Sequence, residues 1–429
     1  MKAYKLLKSG DTLLFEEAAR LSVEEEIYEV RCRVSIRLQP RPCLFFEMGG
    51  DGNLPRDLQT KRGVEWRLEI PTRGISTSVR CVCCSSDSQD TIIRAVPTDR
   101  QVCVIPDLEV QRVEFHVFNF PHFAGRHPVY SKMNGQSARY EREILESDDW
   151  RVELVGAQTT LWSMLNNEYA ADYRITHVGQ ITRQDGQDFA IGDANELVLA
   201  LHWFLSFCKG SWAGVSLPLG YSRDGTCIWE SLYLGYTSSC IRCQSWFDPS
   251  RGEIMSQVFP GFLSRWRDPD WERAVARAIY WYTAGNEMRA SPDGALVLAQ
   301  AALELLSWTA LVSKGGILSN DGFCKLPACD QISLFLSNSG IPTSVPPLLN
   351  GLGALCRERN WDTGPQALTE IRNSIVHPKK SSFSLAGEVS ATYEVWVLGQ
   401  WYLELALLQL FGYTGHYSNR LIGDTCAEQ

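Results

Sequence analysis

The sequence lacks the short motifs that identify the best-known nucleotide-binding and hydrolytic enzymes. It contains no Walker phosphate-binding loop, no GxGxxG dinucleotide fingerprint and no GxSxG nucleophile elbow. It also lacks an excess of positive charge, since 41 lysines and arginines stand against 50 aspartates and glutamates, for a net charge of −9. A protein that coats nucleic acid through bulk electrostatics is therefore excluded, and any nucleic-acid contact must lie in a local cleft.

Signals for secretion, disulfide pairing and membrane insertion are lacking as well. Met1 to Gly10 contains lysines, but no apolar run follows it, so we expect no signal peptide. The 14 cysteines have no regular spacing, which favours reduced thiols in the cytoplasm over a disulfide framework. The most apolar stretch, Val389 to Tyr413, contains Glu394 and Glu404, which are costly in lipid. We predict a buried helix there and no membrane partner.

The sequence has few features of a metal site. Cys240 and Cys243 have the spacing of half a zinc site, but a structural site needs four ligands and no second CxxC pair matches. His116, His122 and His127 cluster near two prolines, where they could hold a metal or a ligand, although a solvated loop is the simpler interpretation. We predict no metal and no cofactor, and zinc at the CxxC pair stays an open alternative.

Alternating apolar and polar residues are typical of the first part of the chain. Between Ile27 and Leu38, apolar side chains alternate with glutamate, arginine and serine, as in a half-buried antiparallel strand. The same alternation recurs around Trp66, Phe115 and Val152, and turn residues separate the runs. We predict a mainly antiparallel β domain over residues 1–190, folded as a sheet or sandwich.

Residues 191–267 are predicted to form a mixed connecting region. A helix is expected from Asp193 to Cys208, stopped by Gly210, and a hairpin from Ser216 to Tyr236. His202 lies on the apolar helix and is interpreted as a hydrogen-bonded core histidine. Six tryptophans are interpreted as core packing rather than as a base-stacking platform; they are Trp203, Trp212, Trp229, Trp246, Trp266 and Trp271.

Helical periodicity defines residues 268–429 as a helical bundle. Apolar residues at i, i+4, i+7 and i+8 from Trp271 predict an amphipathic helix, and Gly294 to Val312 predicts a buried one. Pro365 to His377 predicts a further helix, and the long apolar run Glu388 to Phe411 closes the bundle. The predicted fold class is α+β, with an N-terminal mainly antiparallel β domain followed by a C-terminal all-α bundle.

The segment Glu370 to Lys380, EIRNSIVHPKK, is the clearest candidate for chemistry. Arg372 supplies a permanent cation with a planar five-donor fork, and His377 can exchange a proton near neutral pH. Five positions along an ideal helix turn roughly 140° about its axis, so these side chains do not share one face. Pro378 disfavours helical geometry at the preceding residue, so the helix should end near His377. Two such ends meeting across a two-fold axis would pool two arginines and two histidines in one cleft.

Glu304 is the other residue that stands out in the bundle. It lies in the run LELL, inside a helix that is otherwise apolar. A buried carboxylate needs a cation, and Arg372 is the partner we expect. The alternative is that Glu304 lies on the one exposed stripe of its helix.

The hexapeptide Arg372 to His377 resembles the R-x4-6-H motif of HEPN domains, including the asparagine that often follows the arginine, here Asn373. The layout is similar as well, with the motif near the end of a late helix and one long apolar helix after it. The run Trp401 to Tyr413, WYLELALLQLFGY, is similar to the branch of HEPN proteins grouped with the ApeA anti-phage proteins. The resemblance covers Asp268 to Leu421 and no part of the N-terminal β region.

This resemblance implies a metal-independent endoribonuclease that acts as a cytoplasmic homodimer on RNA, with tRNA as one candidate. In such an enzyme His377 exchanges protons, Arg372 binds the phosphate, and Asn373 binds the phosphate or positions Arg372. Glu304 is expected to support Arg372. The expected products carry a 2′,3′-cyclic phosphate and a 5′-hydroxyl, and the expected setting is anti-phage defence or toxin-like growth arrest.

The N-terminal β domain is expected to regulate this activity. An unrestrained ribonuclease would be toxic, so we predict that the domain restrains it until a phage-derived trigger or regulatory partner binds. In an alternative interpretation the bundle is a non-catalytic HEPN-type dimerisation or RNA-binding module, and the β domain binds a ligand or partner.

Overall fold

In a computed structural model the protein has an α+β fold, as predicted, with a β-rich N-terminal part followed by C-terminal helices. The structure describes residues 11–49, 65–86, 91–98, 107–133, 136–156, 173–239, 243–288, 292–377, 389–422 and 426–428.

The first six strands form a closed antiparallel barrel in the order β1-β2-β3-β6-β5-β4. They are β1 (Asp11–Val23), β2 (Glu26–Arg37), β3 (Cys43–Gly49), β4 (Trp66–Ile70), β5 (Ile75–Ser86) and β6 (Thr91–Pro97). The alternation predicted around β2 is confirmed, because Val30, Cys32, Val34 and Ile36 are buried inside the barrel. The predicted antiparallel sheet is confirmed for this part, but it closes into a barrel and does not form a sandwich. The 13-residue β1 pairs with β2 along its length and also with β4, which closes the sheet on itself.

A second antiparallel sheet follows the barrel, in the order β11-β12-β13-β8-β15-β16. Its strands are β8 (Arg112–Phe118), β11 (Arg142–Ser147), β12 (Trp150–Gly156), β13 (Ile175–Arg183), β15 (Gly214–Tyr221) and β16 (Cys227–Glu230). Four short strands form two further two-stranded sheets, β7 (Glu109–Val110) with β14 (Phe189–Ala190) and β9 (Val129–Met133) with β10 (Gln136–Tyr140). The β15–β16 hairpin was predicted, but it joins this sheet through β8. The domain boundary expected at residue 190 therefore falls within one sheet.

One end of the barrel packs on the second sheet. Phe118, Ile175 and Leu217 belong to the same buried cluster as the barrel interior. Beside them, Arg73 forms ion pairs with Glu17 of β1 at 3.1 Å and with Glu230 of β16 at 2.8 Å. Partly exposed ion pairs of this kind contribute little stability, so the shared buried cluster is the main contact between barrel and sheet.

Nine helices are described. They are α1 (Ile191–Lys209), α2 (Glu253–Trp266), α3 (Glu272–Glu287), α4 (Pro292–Trp308), α5 (Asn320–Cys324), α6 (Ala328–Asn338), α7 (Asn350–Arg359), α8 (Gly364–Val376) and α9 (Val389–Leu410). A π-helical turn, Thr309–Lys314, extends α4, and a short pair, β17 (His416–Ser418) with β18 (Cys426–Glu428), follows α9. As predicted, α1 ends at Gly210, which adopts a left-handed conformation with φ of 78°.

Helix α2 was not predicted from the sequence, and it contains Pro260. The Pro260 side chain is on the exposed face of the helix. The next residue, Gly261, lies against the end of α9, where an added Cβ would be 1.8 Å from the carbonyl oxygen of Phe411. Only glycine permits this close crossing of the two backbones.

Helix α9 is the centre of the bundle, and the prediction of a buried helix is confirmed. It contacts α2, α3, α4, α7 and α8. Its Glu404 is fully buried and accepts hydrogen bonds from Arg420 at 2.5 and 2.9 Å and from the Tyr282 hydroxyl at 2.5 Å. Arg420 also reaches the side-chain oxygen of Asn286, and Asn286 donates to Gly210 O at the end of α1. The network joins the bundle to the preceding region.

One helix in the described part of the chain, Pro292–Lys314, is long and apolar enough to cross a membrane. Of its apolar 18-residue stretch, 56% is buried inside the protein. A largely buried apolar helix is typical of the core of a soluble protein.

The tryptophans and His202 occupy the positions expected from the sequence. Trp212, Trp229, Trp246 and Trp271 are buried, and Trp203 and Trp266 pack against the same core. His202 Nδ1 lies 2.8 Å from the carbonyl oxygen of Ala213, which gives the buried ring a partner. The core interpretation is confirmed for these residues.

We expect stability to fall as the pH drops below about 6.5, because buried histidines must stay neutral in the folded protein. Burial lowers the pKa of His116 and His202 to about 4 and that of His177 to about 3, from 6.5. At a pH between the folded pKa values and 6.5, these histidines bind more protons in the unfolded chain than in the folded protein, so lowering the pH favours unfolding. Above pH 6.5 they are neutral in both states and contribute no pH dependence.

Urea midpoints measured from pH 7.5 down to about 5 test this expectation, with a loss on the order of several kcal/mol across the interval. The variant His202→Gln should flatten the profile, and His127→Gln, at an exposed position, should not. Equal midpoints at both ends of the interval would contradict the argument.

Candidate active site

Helix α8 carries the motif, and its start is fixed by local hydrogen bonds. Thr363 is the N-cap, and its hydroxyl oxygen accepts from the Gln366 backbone N–H at 3.2 Å. The Gln366 side-chain oxygen in turn accepts from the Asp362 N–H at 2.9 Å. Pro365 lies in the first turn, where its missing N–H costs nothing.

The end of α8 follows the prediction made from Pro378, which itself lies outside the described residues. Val376 is the last helical residue, and His377 has non-helical angles of φ −126° and ψ 58°. The His377 backbone N–H still donates to Asn373 O at 2.8 Å, which fixes the residue at the helix end. The imidazole therefore leaves the regular helical direction while its backbone stays anchored.

Packing fixes the orientation of α8 about its axis. Leu368 and Ile371 are fully buried and Ile375 is half-buried, so one apolar face of the helix faces the bundle core. The helix packs against α4, α6 and α9. At its start the Gly364 N–H donates to Thr343 O at 2.7 Å, and the Tyr402 hydroxyl of α9 donates to the same oxygen at 3.3 Å.

Arg372 is half-buried and has no carboxylate partner within the described residues. Its Nη1 donates to the Asn373 side-chain oxygen at 3.2 Å, which is a neutral contact. Its Nε is buried and has no hydrogen-bond partner among the described residues. A buried donor without a partner is costly, so a guanidinium in this state favours binding of an anion.

His377 is exposed, and within the described chain its ring forms no hydrogen bond with Arg372 or Asn373. The structure thus brings Arg372 and Asn373 into contact and places His377 one turn away, at the same helix end. The His377 imidazole is therefore accessible to a molecule that binds at this helix end.

Glu304 does not form the ion pair that was expected with Arg372. It is half-buried on α4 and accepts from Gln300 Nε2, one turn earlier on the same helix, at 2.6 Å. In the part of the chain that the structure describes, no ion pair joins Glu304 to Arg372, although α4 and α8 are in contact. Glu304 accepts its hydrogen bond from Gln300 and not from Arg372, so the Arg372 guanidinium remains available to bind an anion.

Thr369 was not identified from the sequence as a member of this site. It lies three residues before Arg372, a spacing that makes the two side chains neighbours on the helix surface. Its hydroxyl is buried and, like Arg372 Nε, has no partner among the described residues. The i, i+3 spacing to Arg372 was the signal that could have revealed it.

The histidine loop expected from the sequence is only partly a loop. His116 lies on β8 and is buried, while His122 is half-buried and His127 is exposed. Alternation around Phe115 had already predicted a strand there, and the strand continues through His116. Within the described residues no three His, Cys, Asp or Glu side chains form a group that could hold a metal ion. Cys243 belongs to that part of the chain, but Cys240 lies outside it.

Two family models match this chain. Residues 268–429, which contain α3 to α9 and the candidate site, match the model of the YopA C-terminal domain, and residues 106–240 match that of the YopA central domain. These two regions therefore resemble domains of YopA proteins. The barrel lies outside both matched ranges.

A relative in Bacillus subtilis (strain 168) carries the name SPbeta prophage-derived uncharacterized protein YopA. The two sequences are 26% identical over 407 residues, which cover 94% of this chain and 90% of the relative. The similarity therefore extends beyond the two domain models and includes most of the barrel. No solved structure matches the chain.

Proposed function

We propose that this protein is a metal-independent endoribonuclease of the HEPN type, with Arg372, Asn373 and His377 in its active site. The observation that carries the proposal is the state of Arg372. Its guanidinium is half-buried, lacks a carboxylate partner among the described residues, and lies at the same helix end as an exposed histidine. An arginine held in this way is suited to bind a phosphate, and the histidine is suited to move a proton beside it.

The reaction class follows from these two groups. An imidazole accepts the proton of a 2′-hydroxyl, whose oxygen forms a bond to the neighbouring phosphorus. The bond from phosphorus to the 5′ oxygen breaks, and an imidazolium gives that oxygen a proton. Arg372 offsets the charge that grows on the non-bridging oxygens, and Asn373 positions Arg372 through their 3.2 Å hydrogen bond. The products are a 2′,3′-cyclic phosphate and a 5′-hydroxyl.

A homodimer completes this site. One protomer offers one proton-transfer group, whereas the reaction needs a base and an acid on opposite sides of the phosphate. Val376, beside His377, is 41% exposed although it is apolar, which fits a helix end that a second copy covers. Two α8 ends related by a two-fold axis would supply both imidazoles.

The setting we propose is the cytoplasm, in anti-phage defence or toxin-like growth arrest. The name of the relative places that protein in a prophage, and genes that limit the growth of the host or of a competing phage fit such an origin. In this proposal the barrel and the second sheet restrain the nuclease until a trigger or regulatory partner binds.

Incubation of labelled tRNA and total RNA with the protein, in the presence of a chelator, tests the function. The wild type should produce fragments with cyclic-phosphate ends, and His377→Ala should lose this activity because no group then takes the 2′-hydroxyl proton. His127→Ala, at another exposed histidine, is the matched control and should cut normally.

Two outcomes would count against the proposal. One is cleavage of DNA at a similar rate, since DNA has no 2′-hydroxyl. The other is unchanged RNA cleavage by His377→Ala. If no protein cuts RNA in vitro, growth during phage infection decides, because a phage-derived trigger is then present: wild type that limits growth no more than His377→Ala would favour a non-catalytic module.

A further inference from the structure

An aromatic surface lies where the barrel, the second sheet and the helical bundle meet. Tyr236, in the segment after β16, is 64% exposed, and Tyr280 of α3 is 49% exposed. Both rings contact Trp212, with centroid distances of 5.8 and 6.0 Å. The three rings therefore form one continuous aromatic surface.

The floor of this surface is rigid. Trp212 is buried and stacks on His202 with an interplanar angle of 15°. Its backbone N–H donates to the Ser238 hydroxyl oxygen at 3.1 Å, and its carbonyl oxygen accepts from the buried Lys209 ammonium at 2.8 Å. The fixed Trp212 residue gives both tyrosine rings a defined surface to pack against.

Charged groups border the rings. Arg41, in the loop between β2 and β3, is exposed and forms no ion pair among the described residues. Partial burial raises the pKa of Tyr236, Glu287 raises it further and Arg41 lowers it, so both charges lie near the Tyr236 hydroxyl. The Glu287 carboxylate accepts a hydrogen bond from Ser238 and keeps capacity for another donor.

We infer that Tyr236, Tyr280 and Arg41 form a binding surface for single-stranded RNA, separate from the end of α8. The rings stack on unpaired bases, Arg41 binds a phosphate, and the Glu287 carboxylate accepts from an exocyclic amine of a base. The inference rests on the proposed function, because the ligand is the RNA that the nuclease cuts.

The size and chemistry of the surface favour RNA over a protein partner. Two exposed rings are far smaller than the roughly 800 Å² that each side of a stable protein interface buries. They match one or two stacked bases, and a cation beside an aromatic ring is the usual arrangement in single-strand binding. The surface is local, which agrees with a chain whose net charge is −9.

Fluorescence anisotropy with a labelled single-stranded oligoadenylate of about 12 nucleotides tests the inference. All measurements use the His377→Ala background, so the RNA stays intact. Tyr236→Ala and Tyr280→Ala should each weaken binding about tenfold or more, while the phenylalanine variants should bind normally because they keep the stacking face. Arg41→Gln should lower the slope of log K against log salt by about 0.7.

Tyr130→Ala is the matched control, since Tyr130 is as exposed as Tyr236, at 67%, but lies on β9. Equal affinities of wild type, Tyr236→Ala and Tyr280→Ala would overturn the inference, as would the absence of binding at low salt. These results are independent of cleavage. If binding depends on the tyrosines but the wild type cuts no RNA, the binding surface is supported and the nuclease proposal fails. If the wild type cuts RNA but binding does not depend on the tyrosines, the nuclease proposal is supported and the binding surface fails.

Discussion

The variant Arg372→Lys is expected to cut RNA on the order of 10²- to 10³-fold more slowly than the wild type, although it keeps the positive charge. A guanidinium can hold two phosphate oxygens through parallel hydrogen bonds, whereas an ammonium acts as a point charge. Lysine also cannot reproduce the contact between Arg372 Nη1 and the Asn373 side chain in the same geometry. The loss should appear in kcat more than in KM, because in the proposed reaction the arginine acts on charge that develops in the transition state.

Initial rates on a single labelled tRNA, measured with a chelator present, provide the test. Arg277→Lys is the control, since Arg277 is an exposed arginine on α3 of the same bundle. A rate for Arg372→Lys within threefold of wild type, on the order of measurement scatter, would mean that the guanidinium does not contact the reacting phosphate. Arg372 would then be a structural residue.

The variant Glu404→Gln is expected to destabilise the protein by about 3–5 kcal/mol. Glu404 is fully buried, and Arg420, also fully buried, bonds to both of its oxygens. Removing the negative charge leaves a buried guanidinium without compensation, and it weakens the hydrogen bond from Tyr282. The stability is lost mainly because the Arg420 charge is left buried without a partner, and less because the attraction between Glu404 and Arg420 is removed.

Urea unfolding of Glu404→Gln, Glu404→Leu with Arg420→Met, and Glu358→Gln separates these contributions. The double variant should recover much of the stability, because an apolar pair leaves no buried charge. Glu358 pairs with Arg359 on an exposed face at 3.3 Å, so Glu358→Gln should cost less than about 1 kcal/mol. A double variant less stable than Glu404→Gln would contradict this explanation.

Features that depend on neighbouring residues could be predicted from the sequence. Alternation identified β2 and its buried face, Gly210 marked the end of α1, and Pro378 marked the end of α8. Each of these signals is local, because side-chain period and backbone preference act within one element. The same reasoning placed Arg372, Asn373 and His377 at one helix end.

Features that depend on distant pairing could not be predicted. The barrel closes through pairs such as Arg20 with Glu69, which no local pattern specifies. Glu404 was expected to be costly in lipid, but its partner Arg420 lies beyond the helix in an irregular segment. The Glu304–Arg372 pair was expected from burial alone, whereas Gln300, one turn away, satisfies the carboxylate instead. When several polar residues can reach a buried carboxylate, its burial alone does not show which of them is the partner.

The position of Arg420 makes the last part of the chain a structural component of the bundle. Its guanidinium is the cation of Glu404, and its carbonyl oxygen accepts a hydrogen bond from Gln244 at 3.3 Å. A proteolytic nick or a premature stop before residue 420 would therefore act as a charge substitution in the middle of α9. The same event would remove the hydrogen bonds from Arg420 to Asn286 and from Gln244 to Arg420, which join the bundle to the preceding region.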